Sequence, residues 1–138
     1  MNVPRFAAVA LAAWAMTTLG VPAARADAAA PPPYIDHVRW VAYSGLPTLR
    51  IYPTPAGREV AGSVAKTAAQ SDEAWAEVLA LAPDAGTAGM RAQFLCHWRF
   101  AEFAEPGKTS WDLESWRPAV DDNTMIVTGC NPGDPEKG

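Results

Sequence analysis

Histidine is almost missing from this chain: His37 and His97 are the only two in 138 residues. Cysteine is as scarce, with Cys96 and Cys130 alone. A metal site draws three or four ligands from a small set of residue types. Here it would need both histidines plus a carboxylate, and no helical His-x-x-x-His spacing supports that. No glycine-rich phosphate loop, serine-hydrolase elbow or zinc-protease signature occurs. Asp121-Asp122-Asn123 lacks the central glycine and the remaining ligands of a calcium loop. No cofactor and no metal are therefore expected. Basic residues form no run, and eleven of them face fifteen acidic residues, a formal net charge of −4. Such a chain is a poor match for nucleic acid or for an anionic lipid surface. Beyond residue 26, no apolar stretch nears the roughly 20 residues that span a bilayer.

What is present begins with a leader. Arg5 supplies a positive start, Phe6 to Leu19 is nearly all apolar, and Gly20-Val21-Pro22 breaks the run. Ala24-Arg25-Ala26 then offers the small-x-small pattern that signal peptidase accepts. Residues 1–26 read as a cleaved secretory signal, with Asp27 as the new N-terminus and no cysteine placed for a lipid anchor. The 112 residues that remain carry nine basic and fifteen acidic groups, a net charge of −6. They amount to one domain. The destination is secreted or extracytoplasmic, with no transmembrane anchor left after cleavage. In such a compartment two cysteines favour a single Cys96–Cys130 disulfide. The alternative, a reactive or metal-binding thiol, lacks a ligand cluster around it.

Residues 27–33 are rich in Ala and Pro and read as a flexible leader that touches no core. The β-branched and aromatic run Tyr34 to Tyr43 predicts a strand, Ser44-Gly45-Leu46-Pro47 a turn, and Thr48 to Tyr52 a second strand paired as a hairpin. Thr54-Pro55 has the form of an N-cap and first helical residue. Ala61 to Gln70 reads as loop. Ser71 is placed to cap a helix over Asp72 to Leu81, with Trp75, Val78, Leu79 and Ala82 on one face. Met90 to Phe103 alternates like a strand but lacks Val, Ile and Thr, and Met90, Phe94, Trp98 and Ala101 form a helical stripe. It is assigned to helix. Ile126 and Val127 predict a last strand over Thr124 to Thr128. The sum is a small α+β domain over residues 34–132. Its antiparallel sheet is the hairpin plus a C-terminal strand, packed on two helices, and residues 133–138 form a disordered tail.

The chemistry-bearing residues are few. Cys96 and His97 are adjacent, so their side chains diverge on either a helix or a strand and cannot form a nucleophile–base pair. His97 alone as a base for water resembles the helical Cys-His step of secreted phospholipases, but Trp98 follows it and no calcium loop precedes it. His37 follows Asp36. A small secreted hydrolase using His97 or His37 with a carboxylate is thus the enzymatic alternative. Carboxylate pairs are too common in this chain to be informative. Five tryptophans lie beyond residue 26, and aromatic faces serve both cores and sugar binding. Trp75 and Trp98 fall on expected core faces. Trp111 and Trp116 lie in a loop-like stretch and are the candidates for ligand binding, with Trp116 expected to pack and Trp111 to be the more exposed.

Five segments occur in one order: Ile35-Asp36-His37-Val38, Leu49 to Thr54, Gln93-Phe94-Leu95-Cys96-His97, Trp111 to Pro118, and Gly129-Cys130-Asn131-Pro132. In this combination the chain resembles DUF2599, a family of small exported proteins of unknown function from high-GC Gram-positive bacteria. The likeness covers about residues 34–132. Ala92 stands where the family pattern often has an acid, and Asp112 and Ser115 where it usually has Asn and Pro. The resemblance implies a secreted domain with Cys96 paired to Cys130 and implies no activity. The reading is therefore an exported, non-enzymatic binding or interaction domain at the cell envelope, its partner a wall glycan or an envelope protein.

Overall fold

A computed structural model describes residues 19–20 and 28–133. Nearly all of the leader assigned to residues 1–26, the cleavage point at Asp27 and most of the C-terminal tail lie outside those residues. Within them, β1 (Ile35–Tyr43) and β2 (Leu46–Pro53) form the expected hairpin. Its two-residue turn uses Ser44 and Gly45 at φ of 50° and 78°, the left-handed pair that matches strand twist. A three-residue strand β3 (Trp111–Leu113) adds antiparallel to β2 and completes a sheet of order β1-β2-β3. Register places Leu49 opposite Leu113 and Ile51 opposite Trp111, so four apolar side chains share one face. On the other face Arg50 lies opposite Asp112, with their charged groups 3.4 Å apart.

Four helices follow from local chemistry. Helix α1 (Pro55–Ala61) starts as expected: Thr54 accepts from the Gly57 amide at 2.9 Å and donates to the Pro33 carbonyl at 2.7 Å. Glycine is required at 57, since a Cβ there would stand 2.1 Å from the Tyr34 carbonyl oxygen. Helix α2 (Ala68–Leu81) begins before the expected Ser71 cap. Thr67 and Gln70 form a reciprocal capping box, and the Ser71 hydroxyl instead donates to the Ala68 carbonyl inside the helix. A 3-10 turn at Pro83–Ala85 ends it. Helix α3 (Ala88–Ala104) resolves the ambiguous segment as helix, capped by Thr87.

Two expectations about the C-terminal part do not hold. Thr124 to Thr128 is not a strand but part of helix α4 (Asp122–Val127). Asp121 caps it by accepting from the Thr124 amide at 2.7 Å, and that contact holds the Asp121 carboxyl below the usual carboxylate range. The cap and the cross-link beside it outweigh the β preference of Ile126 and Val127, both of which are exposed. The third strand comes instead from Trp111–Leu113, which the sequence presents as loop.

The core lies between the inner sheet face and helices α1 to α3. Tyr34, Trp75, Phe94, Trp98 and Trp111 form a connected aromatic group with ring centroids 5.4 to 6.3 Å apart. The Glu77 carboxylate on α2 accepts from the amides of Tyr34 and Ile35, at 2.8 and 2.7 Å, and so fixes where β1 begins. Arg58 pairs with Glu102 at 2.7 Å and joins α1 to α3. The segment expected to touch no core does touch it: Ala30 packs against the main cluster.

Candidate functional site

Helix α3 has two faces because its sequence interleaves two stripes. Met90, Phe94, Trp98 and Ala101 turn to the core, while Ala92, Cys96, Arg99 and Phe103 follow one another on the opposite side. On that second side Cys96 bonds to Cys130, 34 residues on. A loop of that length is worth about 4 kcal/mol in the chain-entropy account. Gly129 and Cys130 take left-handed backbone, with φ of 61° and 68°, to bring the sulfur back to α3. Met125 packs with the bridge in a small cluster of its own.

This arrangement leaves a groove between α3 and α4. Two adjoining cavities of 290 and 310 Å3 share Cys96, Phe100 and Ile126. Leu95 and Met125 line the first together with Arg91, Arg99 and Asp122. His97, Glu105, Lys108 and Asn131 line the second beside the disulfide. Phe100 and Ile126 are exposed along the groove, and Val127 beside them is 72% exposed.

His97 is buried, and its Nδ1 lies 2.8 Å from the Gln93 carbonyl oxygen. Burial pushes its imidazole pKa down. The Gln93 carbonyl opposes that shift, Lys108 adds to it, and Asp112 opposes it. The ring is thus neutral at pH 7, with Nδ1–H donating to Gln93 and Nε2 left as an acceptor. His37 sits elsewhere, exposed on β1. Its Nδ1 is 2.5 Å from an Asp36 carboxylate oxygen and its ring stacks on Tyr52 at 4.1 Å. His37 lines neither cavity of the groove. Among the described residues no group of three or more His, Cys, Asp or Glu side chains is placed to hold a metal ion.

The two tryptophan candidates exchange roles. Trp111 is fully buried, edge-on to Trp98 at 6.2 Å and beside Phe94. Strand pairing with Ile51 carries it inward, which the loop-like composition around it hides. Trp116 is only half-buried, with the Arg117 guanidinium 4.4 Å from its ring centre. Between the two tryptophans runs a buried polar clamp. Gln93 donates to the Glu114 carbonyl and accepts from the Glu114 amide, both at 2.9 Å. The Glu114 carboxylate pairs with Arg117, whose Nη1 donates to the Pro132 carbonyl at 3.2 Å. This clamp fastens the 111–118 segment to α3 and to the chain after Cys130.

Sequence reasoning missed the groove-lining Leu95, Arg99, Phe100 and Ile126. Their signal was the cysteine pair, which brings the segment before Cys130 against the outer side of α3.

These features define a class: a small α+β domain with a short three-stranded sheet, an aromatic core and one disulfide that pins a terminal helix to the longest one. Within that class the chain belongs to the family described as "Protein of unknown function (DUF2599)", which it matches over residues 35–133. An uncharacterized protein of Mycobacterium tuberculosis (strain H37Rv) is 56% identical over 106 residues, 77% of this chain and 70% of that protein. An uncharacterized protein of Mycobacterium leprae is 48% identical over 101 residues, 73% of this chain and 80% of its own length. No solved structure matches the chain.

Proposed function

We propose that this protein is an exported, non-enzymatic binding domain of the cell envelope that takes its ligand in the groove between α3 and α4. The observation that carries the reading is the groove itself: two adjoining cavities with an apolar floor, bordered by exposed Phe100 and Ile126. Ligand sites are typically concave and mostly apolar, with a few polar groups at the edge. Arg99, Asp122, Lys108 and Glu105 supply that edge. Export is supported by the signal-like leader of residues 1–26 and fits the disulfide. The working unit is the domain of residues 34–132, with 27–33 as its leader and 133–138 as its tail. The Trp-based reading narrows to Trp116, because Trp111 has no exposed surface.

The test is amide mapping by NMR on the 15N-labelled chain from residue 28, titrated with wall glycan fragments, lipids and metal ions. Binding should move the amides of Leu95, Cys96, Phe100, Ile126 and Cys130 as one group. Ligands that move only residues away from α3 and α4 would refute the groove.

A hydrolytic reading keeps one supporting observation: neutral His97 lines the second cavity beside Glu105. It predicts turnover of simple acyl esters that disappears in His97→Ala while the fold survives. Absence of turnover in the wild-type chain would dispose of it.

A further inference from the structure

The hairpin carries a feature independent of the groove. From Trp40 to Leu49 the chain has no charged residue, and the stretch is bounded by Arg39 and Arg50. In sequence these two arginines are eleven positions apart; in the sheet they lie directly opposite one another. They form a cationic pair across the hairpin, below an uncharged tip. β3 pairs only with Leu49, Arg50 and Ile51, so the strands beyond Leu49 project past it. At this tip Trp40, Tyr43 and Leu46 are 39%, 37% and 37% exposed. The tip is well formed, with pairing continuing to Tyr43–Leu46 and closing on the Ser44–Gly45 turn.

The two guanidinium groups are not equivalent. Arg50 faces Asp112 at 3.4 Å and lies 5.1 Å from the Tyr43 ring centre. Arg39 forms no ion pair among the described residues, and its contact there is the Tyr52 hydroxyl at 3.5 Å. Asp112 already offsets Arg50, whereas Arg39 stands opposite a like charge with no carboxylate paired to it among the described residues, so an external anion beside Arg39 would be favoured.

From this we infer that the hairpin tip docks on an anionic lipid surface. Trp40, Val41, Tyr43 and Leu46 enter the interface, and Arg39 and Arg50 meet the lipid phosphates. Trp and Tyr favour the headgroup level, where one end of the ring is apolar and the other wet. Guanidinium matches phosphate geometry. The four residues of β1 beyond Arg39 reach about 14 Å. That suits insertion into the interface, against roughly 30 Å for the hydrocarbon core. The net charge of −6 left after residue 26 opposes this surface overall. Screening over about 8 to 10 Å at physiological salt leaves the local charges, Arg39 and Arg50 against Asp112, to decide the contact. Docking of two tips in a dimer is disfavoured, because it would bring together two Arg39 side chains that have no carboxylate partner among the described residues.

The experiment uses the chain from residue 28, which contains every strand, helix and core residue described above and omits the apolar leader that would enter lipid by itself. It is sedimented with vesicles of equal parts phosphatidylcholine and phosphatidylglycerol, and with phosphatidylcholine alone. Binding should appear only with the anionic vesicles and should weaken as salt rises. Arg39→Glu changes the local charge by two units, so partitioning should fall roughly 30-fold, at about fivefold per charge. Leu46→Ser should weaken binding without altering the thermal melt. Brominated lipid should quench wild-type fluorescence more than that of Trp40→Phe, which serves as the internal reference. Three results would each overturn the inference: no sedimentation with anionic vesicles, equal binding to neutral vesicles with Arg39→Glu unaffected, or a dimer that Leu46→Ser dissociates in a chain that ignores lipid.

Discussion

The two faces of α3 differ more than any two elements of the fold. The inner face holds Gln93, Phe94 and Trp98, buried against the sheet and the 111–118 segment. The outer face holds Cys96, Arg99 and Phe100, and opens on a groove floored by the disulfide. Within one 17-residue helix, one side packs on the main core, and the other is cross-linked to the α4 end and leaves a groove beside the bond. The residues that carry the family resemblance divide the same way. Gln93, Phe94, Cys96, Trp111, Glu114, Arg117 and Cys130 are all buried in clamp, core or cross-link. Much of the family pattern therefore lies in residues that hold the fold. The groove-edge residues Arg99, Phe100 and Ile126 stand outside the five segments that carry it.

The contrast is broken most severely at the inner end. Trp111→Ala should cost about 4 kcal/mol, as large-to-small changes of a buried aromatic do. Trp116→Ala, truncating a half-buried ring, should cost roughly 1 kcal/mol. Urea melts of both variants check the order. A larger loss at Trp116 would restore the sequence-based expectation and contradict the packing described above.

Next in size is the clamp. Glu114→Ala leaves the Arg117 guanidinium buried without that carboxylate and should cost about 3 kcal/mol. Replacing both, as Glu114→Leu with Arg117→Met, should recover most of the loss, because a buried ion pair contributes little net stability over apolar residues of similar volume. If the double variant is no more stable than Glu114→Ala, the clamp is fixing the chain path rather than balancing charge.

A smaller effect comes from His97. Its pKa lies below the ordinary value in the folded chain, so the unfolded chain takes up the proton first as pH falls. Its contribution is complete above about pH 6.5 and is lost progressively as pH drops toward the folded-state value. The stability difference between wild type and His97→Gln, followed by urea melts across the acidic range, should narrow below that pH. A constant difference would show that the imidazole does not titrate in folding.

The same contrast explains how far the sequence could be read. The hairpin is visible because Val, Ile and aromatic residues flank Ser44-Gly45, and α1 because Thr54-Pro55 is a local signal. Helix α3 was readable from Met90, Phe94, Trp98 and Ala101. The start of α2 was present in the Thr67 and Gln70 pair but masked by Ser71, a second residue of capping type. β3 and α4 depend on distant partners. Trp111 becomes a strand residue through Ile51 and through the Gln93 clamp, and Ile126 becomes helical beneath the Asp121 cap beside Cys130. The groove rests on the bond between Cys96 and Cys130, whose local surroundings in sequence say nothing of a cavity.

The division of α3 is tested most directly by one paired measurement, the urea midpoints of Phe94→Ala and Phe100→Ala. Phe94 is fully buried among Trp75, Trp98 and Trp111, while Phe100 borders the groove at 36% exposure. The two-faced helix predicts a loss of about 4 kcal/mol for Phe94→Ala. It predicts a change within about 1 kcal/mol for Phe100→Ala, with the denaturant slope unchanged in both. Equal losses at the two positions would show that the outer face is part of the core, and the groove would lose its standing as a free surface.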